Sequence, residues 1–67
     1  MLNTEHAYFE AGYKYGKARV QRDESRAEHW KRWINSALAL EKPEDKNTAE
    51  RLWRQGYAEA QPIRQVY

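Results

Sequence analysis

The chain has 67 residues, with twelve Lys/Arg against ten Asp/Glu and no Cys. That is one small domain at most, with a thin stability margin, and no disulfide or zinc–thiolate site can staple it. The longest nearly apolar run, Ile34-Asn-Ser-Ala-Leu-Ala-Leu40, is far too short to span a bilayer.

The apolar supply is mostly aromatic. Three Trp and five Tyr stand beside four Leu, two Ile, two Val and one Phe, and aromatics at regular spacing argue for a folded chain rather than a disordered one. No basic start followed by an apolar stretch opens the sequence, so no signal peptide is expected, and the lack of Cys fits a cytoplasmic protein. Charge is unevenly placed. Residues 14–32 hold seven Lys/Arg against Asp23, Glu24 and Glu28, leaving the remainder of the chain net negative although the whole is +2.

Asn3 and Thr4 are candidate N-caps for the first element, with Glu5 suited to a helix start. Apolar or small residues then recur at Phe9, Tyr13, Gly16 and Val20, and after Asp23 at Ala27, Trp30, Ile34 and Ala37. The steps alternate four and three, the rhythm of a helix interrupted once. No Gly or Pro lies between residues 17 and 42, so the preferred reading is one long helix over 4–41, bent near 23. The alternative is a break at 22–25, because Ser25-Arg-Ala-Glu28 has the spacing of a capping box. Against that break, Gln21-Arg22-Asp23-Glu24 contains none of the residues that usually end a helix.

Glu41-Lys-Pro-Glu-Asp-Lys46 reads as a loop, since Pro43 disfavours helix at Lys42 and lacks a donor. Asn47 then caps a helix over about 48–61, whose apolar face is Ala49, Leu52, Trp53, Gly56, Tyr57 and Ala60. Pro62 ends it, and the tail Ile63-Arg-Gln-Val66-Tyr67 is apolar enough to pack somewhere. A short loop between two amphipathic helices implies an antiparallel hairpin. The fold class is therefore all-α: a helical hairpin, or a three-helix arrangement if the chain breaks at 22–25.

One pattern occurs twice. F-E-A-G-Y-K-Y-G-K-A at 9–18 and W-R-Q-G-Y-A-E-A-Q at 53–61 both read aromatic, two spacers, Gly, Tyr, two spacers, small residue. Gly inside a helix costs about 1 kcal/mol against Ala, so Gly12, Gly16 and Gly56 ask for a packing reason, with Tyr13 and Tyr57 at the margins of the notches they open. In a straight hairpin the last helix reaches back only to about residue 26. The two Gly-Tyr segments therefore meet either in a three-helix core or across a homodimer, and the long-helix form requires the dimer. Such segments resemble those of small accessory proteins encoded by phages and prophages, a resemblance that covers about a quarter of the chain. It implies an accessory role and carries no site residue.

Catalytic chemistry finds little support. His6 with Glu10, and Glu24 with Glu28, are helical neighbours that read as ordinary solvated pairs, and a metal needs three or four ligands. There is no phosphate-binding Gly-rich loop, nucleophile elbow or His-Glu-x-x-His, and so small a chain has little mass to wall a cleft. No enzyme activity, metal or cofactor is expected. Trp30, Trp33, Ile34, Ala37 and Leu38 make a broad apolar stripe beside Lys31 and Arg32. Packing of this stripe on Leu52, Trp53 and Tyr57 is the plain reading, yet three tryptophans are hard to cover in a hairpin, so at least one should be an exposed anchor. Trp30, Trp33, Arg32 and Tyr15 are accordingly the candidate surface for a protein partner. Lys14, Lys17, Arg19, Arg22 and Arg26, interleaved with aromatics, are the alternative: a phosphate-gripping band for nucleic acid. The sequence thus points to a small binding module that modulates or blocks a larger macromolecule, with nucleic-acid binding or a structural subunit as alternatives.

Overall fold

The computed structural model describes residues 2–62, with side chains from residue 5 onward; the tail expected to pack, Ile63–Tyr67, lies outside the described residues. Three helices follow one another: α1 (Leu2–Val20), α2 (Glu24–Ala39) and α3 (Pro43–Ala60). No strand occurs among the described residues. Asn3 and Thr4 lie inside α1 instead of capping it, because the helix starts earlier than their capping potential indicates.

The single long helix over 4–41 is not formed. The chain breaks at Gln21–Asp23, and the reason is a helix-ending motif built without glycine. Arg22 adopts the left-handed conformation, φ 59°. Its N–H donates to the Arg19 carbonyl at 3.1 Å while the Asp23 N–H donates to the Ala18 carbonyl at 2.9 Å. Those two bonds are the pair that closes a helix C-terminus around a left-handed residue. Asp23 then caps α2 at once: its carboxylate accepts from the Arg26 N–H at 3.2 Å and its carbonyl from the Ala27 N–H at 2.9 Å. The N-cap is therefore Asp23, and Ser25 sits in the first turn, not at the cap.

The loop at 41–46 is shorter than its composition indicates, and α3 starts a turn earlier than residue 48. Lys42 is extended, φ −70° and ψ 153°, as a residue before proline prefers, and Pro43 is the first helical residue. At that position proline's missing N–H is one the helix would leave unpaired anyway. Lys42 supplies the first acceptor, its carbonyl taking the N–H groups of Asp45 and Lys46 at 2.9 and 3.0 Å. Glu44 and Asp45 complement the positive end of α3.

α1 is the central helix. It packs most extensively on α3 and less on α2, whereas α2 and α3 barely meet. This corrects the expected hairpin, in which the tryptophans of α2 would rest on Leu52, Trp53 and Tyr57. The α1–α3 contact is made by backbone against backbone. A Cβ on Gly12 would collide with the Trp53 carbonyl and stand 2.8 Å from its Cα, and one on Gly56 would overlap the Phe9 carbonyl and stand 2.8 Å from the Tyr13 nitrogen. At Gly16 it would lie 2.8 Å from Ala60 Cβ and 2.9 Å from the Tyr57 carbonyl oxygen. The pairing rises together along both helices, Gly12 with Trp53 and Gly16 with Tyr57 and Ala60, so α1 and α3 run parallel. Because α3 of the same chain reaches Gly12 and Gly16, the geometric ground for expecting a homodimer disappears.

On α2 the buried positions are Ala27 and Ile34, seven apart, and that stripe faces α1, the only helix α2 meets extensively. Ile34 is the one large side chain with no exposed surface among the described residues. Tyr8, Ala11 and Ala18 of α1 are buried with Ala49 and Ala60 of α3, as are Gly12, Gly16 and Gly56. Small residues dominate because the helices approach too closely for large ones.

Candidate basic and aromatic surface

The turn at 21–23 folds the basic band of 14–32 in two. A groove of about 650 Å³ is lined by Lys14, Lys17 and Arg26, with Asp23, His29 and Trp30. A second groove of about 460 Å³, on the other side of the α1–α2 contact, is lined by Arg19, Arg22 and Lys31 with Asp23, Glu24, Glu28 and Tyr15. Only Ala18 and Asp23 border both. The first groove holds three cations against one acid; the second holds three against three. Helical angle explains the division within α1, because residues 14 and 17 lie on one flank and 15 and 19 on the other, and Arg22 joins the second groove from the turn that follows the helix.

Trp30 forms the aromatic wall of the first groove. The Lys14 ammonium lies 5.3 Å from the centre of its ring, and His29 meets the same indole edge-on at 5.0 Å. Trp33 stands next to Trp30 at 6.4 Å and 60°, and packs by its other side on Tyr8 at 5.8 Å. Trp30 is half-buried, whereas Trp33, between Trp30 and Tyr8 in this row, is 37 % exposed. Lys14 also pairs with Glu10 at 3.5 Å and Arg26 with Asp23 at 3.6 Å. Both pairs are solvated, so each is worth at most about 1 kcal/mol and is readily exchanged for another acid.

The remaining candidates lie elsewhere. Arg32 points to solvent and pairs with Glu28 at 3.5 Å. Tyr15 is not beside the tryptophans of α2; it belongs to a cluster in the crease between helices, 5.3 Å from Tyr57 and 6.1 Å from Trp53. The Lys31 ammonium crosses from α2 into this cluster, 5.3 Å from the centre of the Tyr15 ring and 5.5 Å from that of Trp53. Arg54 lies over Trp53 as well, at 5.5 Å. The Trp53 indole N–H is buried and has no acceptor among the described residues. Tyr13 is partly exposed with Lys17 over its ring at 5.6 Å, while Tyr57 is half-buried. The structure thus brings Trp30 together with Lys14, Lys17 and Arg26, leaves Trp33 adjoining Trp30 outside that groove, and puts Tyr15, Arg19 and Arg22 at the other groove. His29 joins the first set, lining the same groove beside Trp30.

At the far end of the molecule Tyr8 donates a hydrogen bond to Glu41 at 2.8 Å, tying α1 to the α2–α3 connection. Burial chiefly, then the hydrogen bond and the negative charge of Glu41, push the Tyr8 phenol well above its ordinary pKa. It is a structural donor held neutral. Among the described residues no group of His, Cys, Asp and Glu could hold a metal ion, and no helix is long and apolar enough to cross a membrane. Comparison with protein-family models, curated proteins and solved structures found no match.

Proposed function

We propose that this chain is a small binding module that docks on a protein partner through the Trp30–Trp33 row and the groove beside it. The observation that carries this reading is Trp33, a large aromatic left more than a third exposed in a protein whose apolar supply is short. Partly exposed tryptophans with covered neighbours are the residues that dominate association energies. The resemblance of the Gly-Tyr segments to short phage proteins agrees with an accessory, non-catalytic role. Nucleic-acid binding is the weaker reading. The cations that would track a phosphate backbone are divided between two grooves, and Lys14 covers one face of Trp30 against base stacking.

Affinity capture from the native host followed by mass spectrometry, with the wild type compared against Trp33→Ala and against Arg19→Gln with Arg22→Gln, tests the choice. One partner retained at physiological salt by the arginine variant and lost from Trp33→Ala is the expected result. Recovery of nucleic acid that depends on Arg19 and Arg22 and not on Trp33 overturns it.

A further inference from the structure

We infer that the groove between Lys14, Lys17, Arg26 and Trp30 takes an acidic protein segment bearing a periodic apolar side chain. This rests on the reading of the Trp30–Trp33 row as the docking edge and adds the chemistry of its occupant. Three observations carry it. The groove holds Lys14, Lys17 and Arg26 against Asp23 alone, and it continues directly into Trp30. Among the described residues Lys14 and Arg26 pair with partly exposed acids on their own helix or turn, Glu10 and Asp23, so incoming carboxylates can replace those partners without uncovering a buried charge. The matching groove on the other face is charge-balanced by Glu24 and Glu28 and would repel acid as much as attract it.

The exposed aromatic next to the groove's Trp30 wall receives the occupant's apolar side chain. Trp33 is the more exposed indole of the row, while Trp30 is half-buried and flanked by Lys14 and His29. A segment lying along α2 would place its carboxylates on Lys14, Lys17 and Arg26 and its apolar group on Trp33. Positive charge beside an aromatic anchor steers an acidic partner and fixes its register, while the anchor sets the dissociation rate. A phosphate backbone carries continuous charge and no apolar group, so it uses only half of this surface.

The test uses the full chain and a fluorescein-labelled peptide of Glu-Glu-Glu-Leu repeats, its Gln-Gln-Gln-Leu counterpart, and a poly-dT oligonucleotide, read by anisotropy at physiological salt. The acidic peptide is expected to bind and the Gln peptide to bind at least about tenfold more weakly. Lys14→Gln with Lys17→Gln should weaken acidic-peptide binding about tenfold while the chain stays folded at the assay temperature, its melting temperature lowered only by the loss of the exposed Lys14–Trp30 and Lys17–Tyr13 contacts. Equal binding of the two peptides, both lost with Trp33→Ala, overturns the acidic occupant and leaves the docking edge standing. Acidic-peptide binding that survives Trp33→Ala and Trp30→Phe overturns the docking edge itself. Tighter binding of poly-dT than of either peptide, or no binding of the acidic peptide, also overturns the inference.

Discussion

Gly12 of α1 lies with its backbone against the backbone of Trp53 of α3, so closely that a Cβ at residue 12 would stand 2.6 Å from the Trp53 carbonyl carbon. The same contact is closed from the other side by Gly56 against Phe9 and Tyr13. Neither neighbour can swing aside, because each is main chain within a helix. Overpacking costs about 1–3 kcal/mol and each variant recovers about 1 kcal/mol of helix preference, so Gly12→Ala and Gly56→Ala, at the severe end of that range, should destabilise by about 2 kcal/mol net. Gly16→Ala should cost less, since it meets only the Ala60 methyl and one carbonyl oxygen just under 3 Å. Urea unfolding of the three variants checks the order. A stabilised Gly12→Ala would show that the helices are further apart than described.

The left-handed Arg22 makes an opposite prediction. A side-chain-bearing residue in that conformation costs roughly 1–2 kcal/mol relative to glycine, partly offset by glycine's greater freedom when unfolded. Arg22→Gly should raise stability by about 0.5–1 kcal/mol. Asp23→Ala removes the cap of α2 and should lower it by about 1 kcal/mol. Thermal melts of both variants suffice, and a continuous helix through 21–23 would give the reverse for Arg22→Gly.

Tyr8 and Glu41 predict a pH dependence. The folded phenol's pKa lies above the ordinary value of 10.0. Its contribution is thus complete below about pH 10 and declines as pH rises above it, where the unfolded chain releases the proton and the folded chain retains it. Tyr8→Phe should cost about 1 kcal/mol at neutral pH through the lost hydrogen bond. The variant's disadvantage should shrink above about pH 10. Parallel melting curves for the two proteins across the alkaline range would contradict this.

Lys31 is the cation that links α2 to the Tyr15–Trp53 cluster, and α2 has little other contact with α3. Lys31→Gln should cost about 0.5–2 kcal/mol, with Lys31→Arg recovering most of it. Hydrogen exchange should quicken in α2 more than in α1. An effect spread evenly over all three helices would mean that Lys31 does not act as the link.

Much of this architecture is local and was legible in the residues. The apolar rhythm of 9–37 and 49–60 marks helices because 3.6 residues per turn is a property of each segment alone. Gly12, Gly16 and Gly56 demand close packing because each carries a helix cost that only proximity can offset. What tertiary structure decided is which surfaces meet. Arg22 can end a helix because a modest left-handed strain is offset by hydrogen bonds to Arg19 and Ala18 and by the Asp23 cap, a balance no single residue type announces. Pro43 opens α3 where it reads as a loop, because proline is unfavourable in a helix everywhere except its first turn. That α3 lies on α1, and not on α2, follows from backbones that approach only where glycines of both helices coincide. The chain reversal at Arg22 lays α2 against α1, so cations that helical angle already puts on different flanks of α1 enter different grooves: Lys14 and Lys17 beside Trp30, Arg19 with Arg22 of the turn beside Glu24 and Glu28. Charge along a sequence is additive, but charge in a groove depends on the direction of each side chain once the helices have docked.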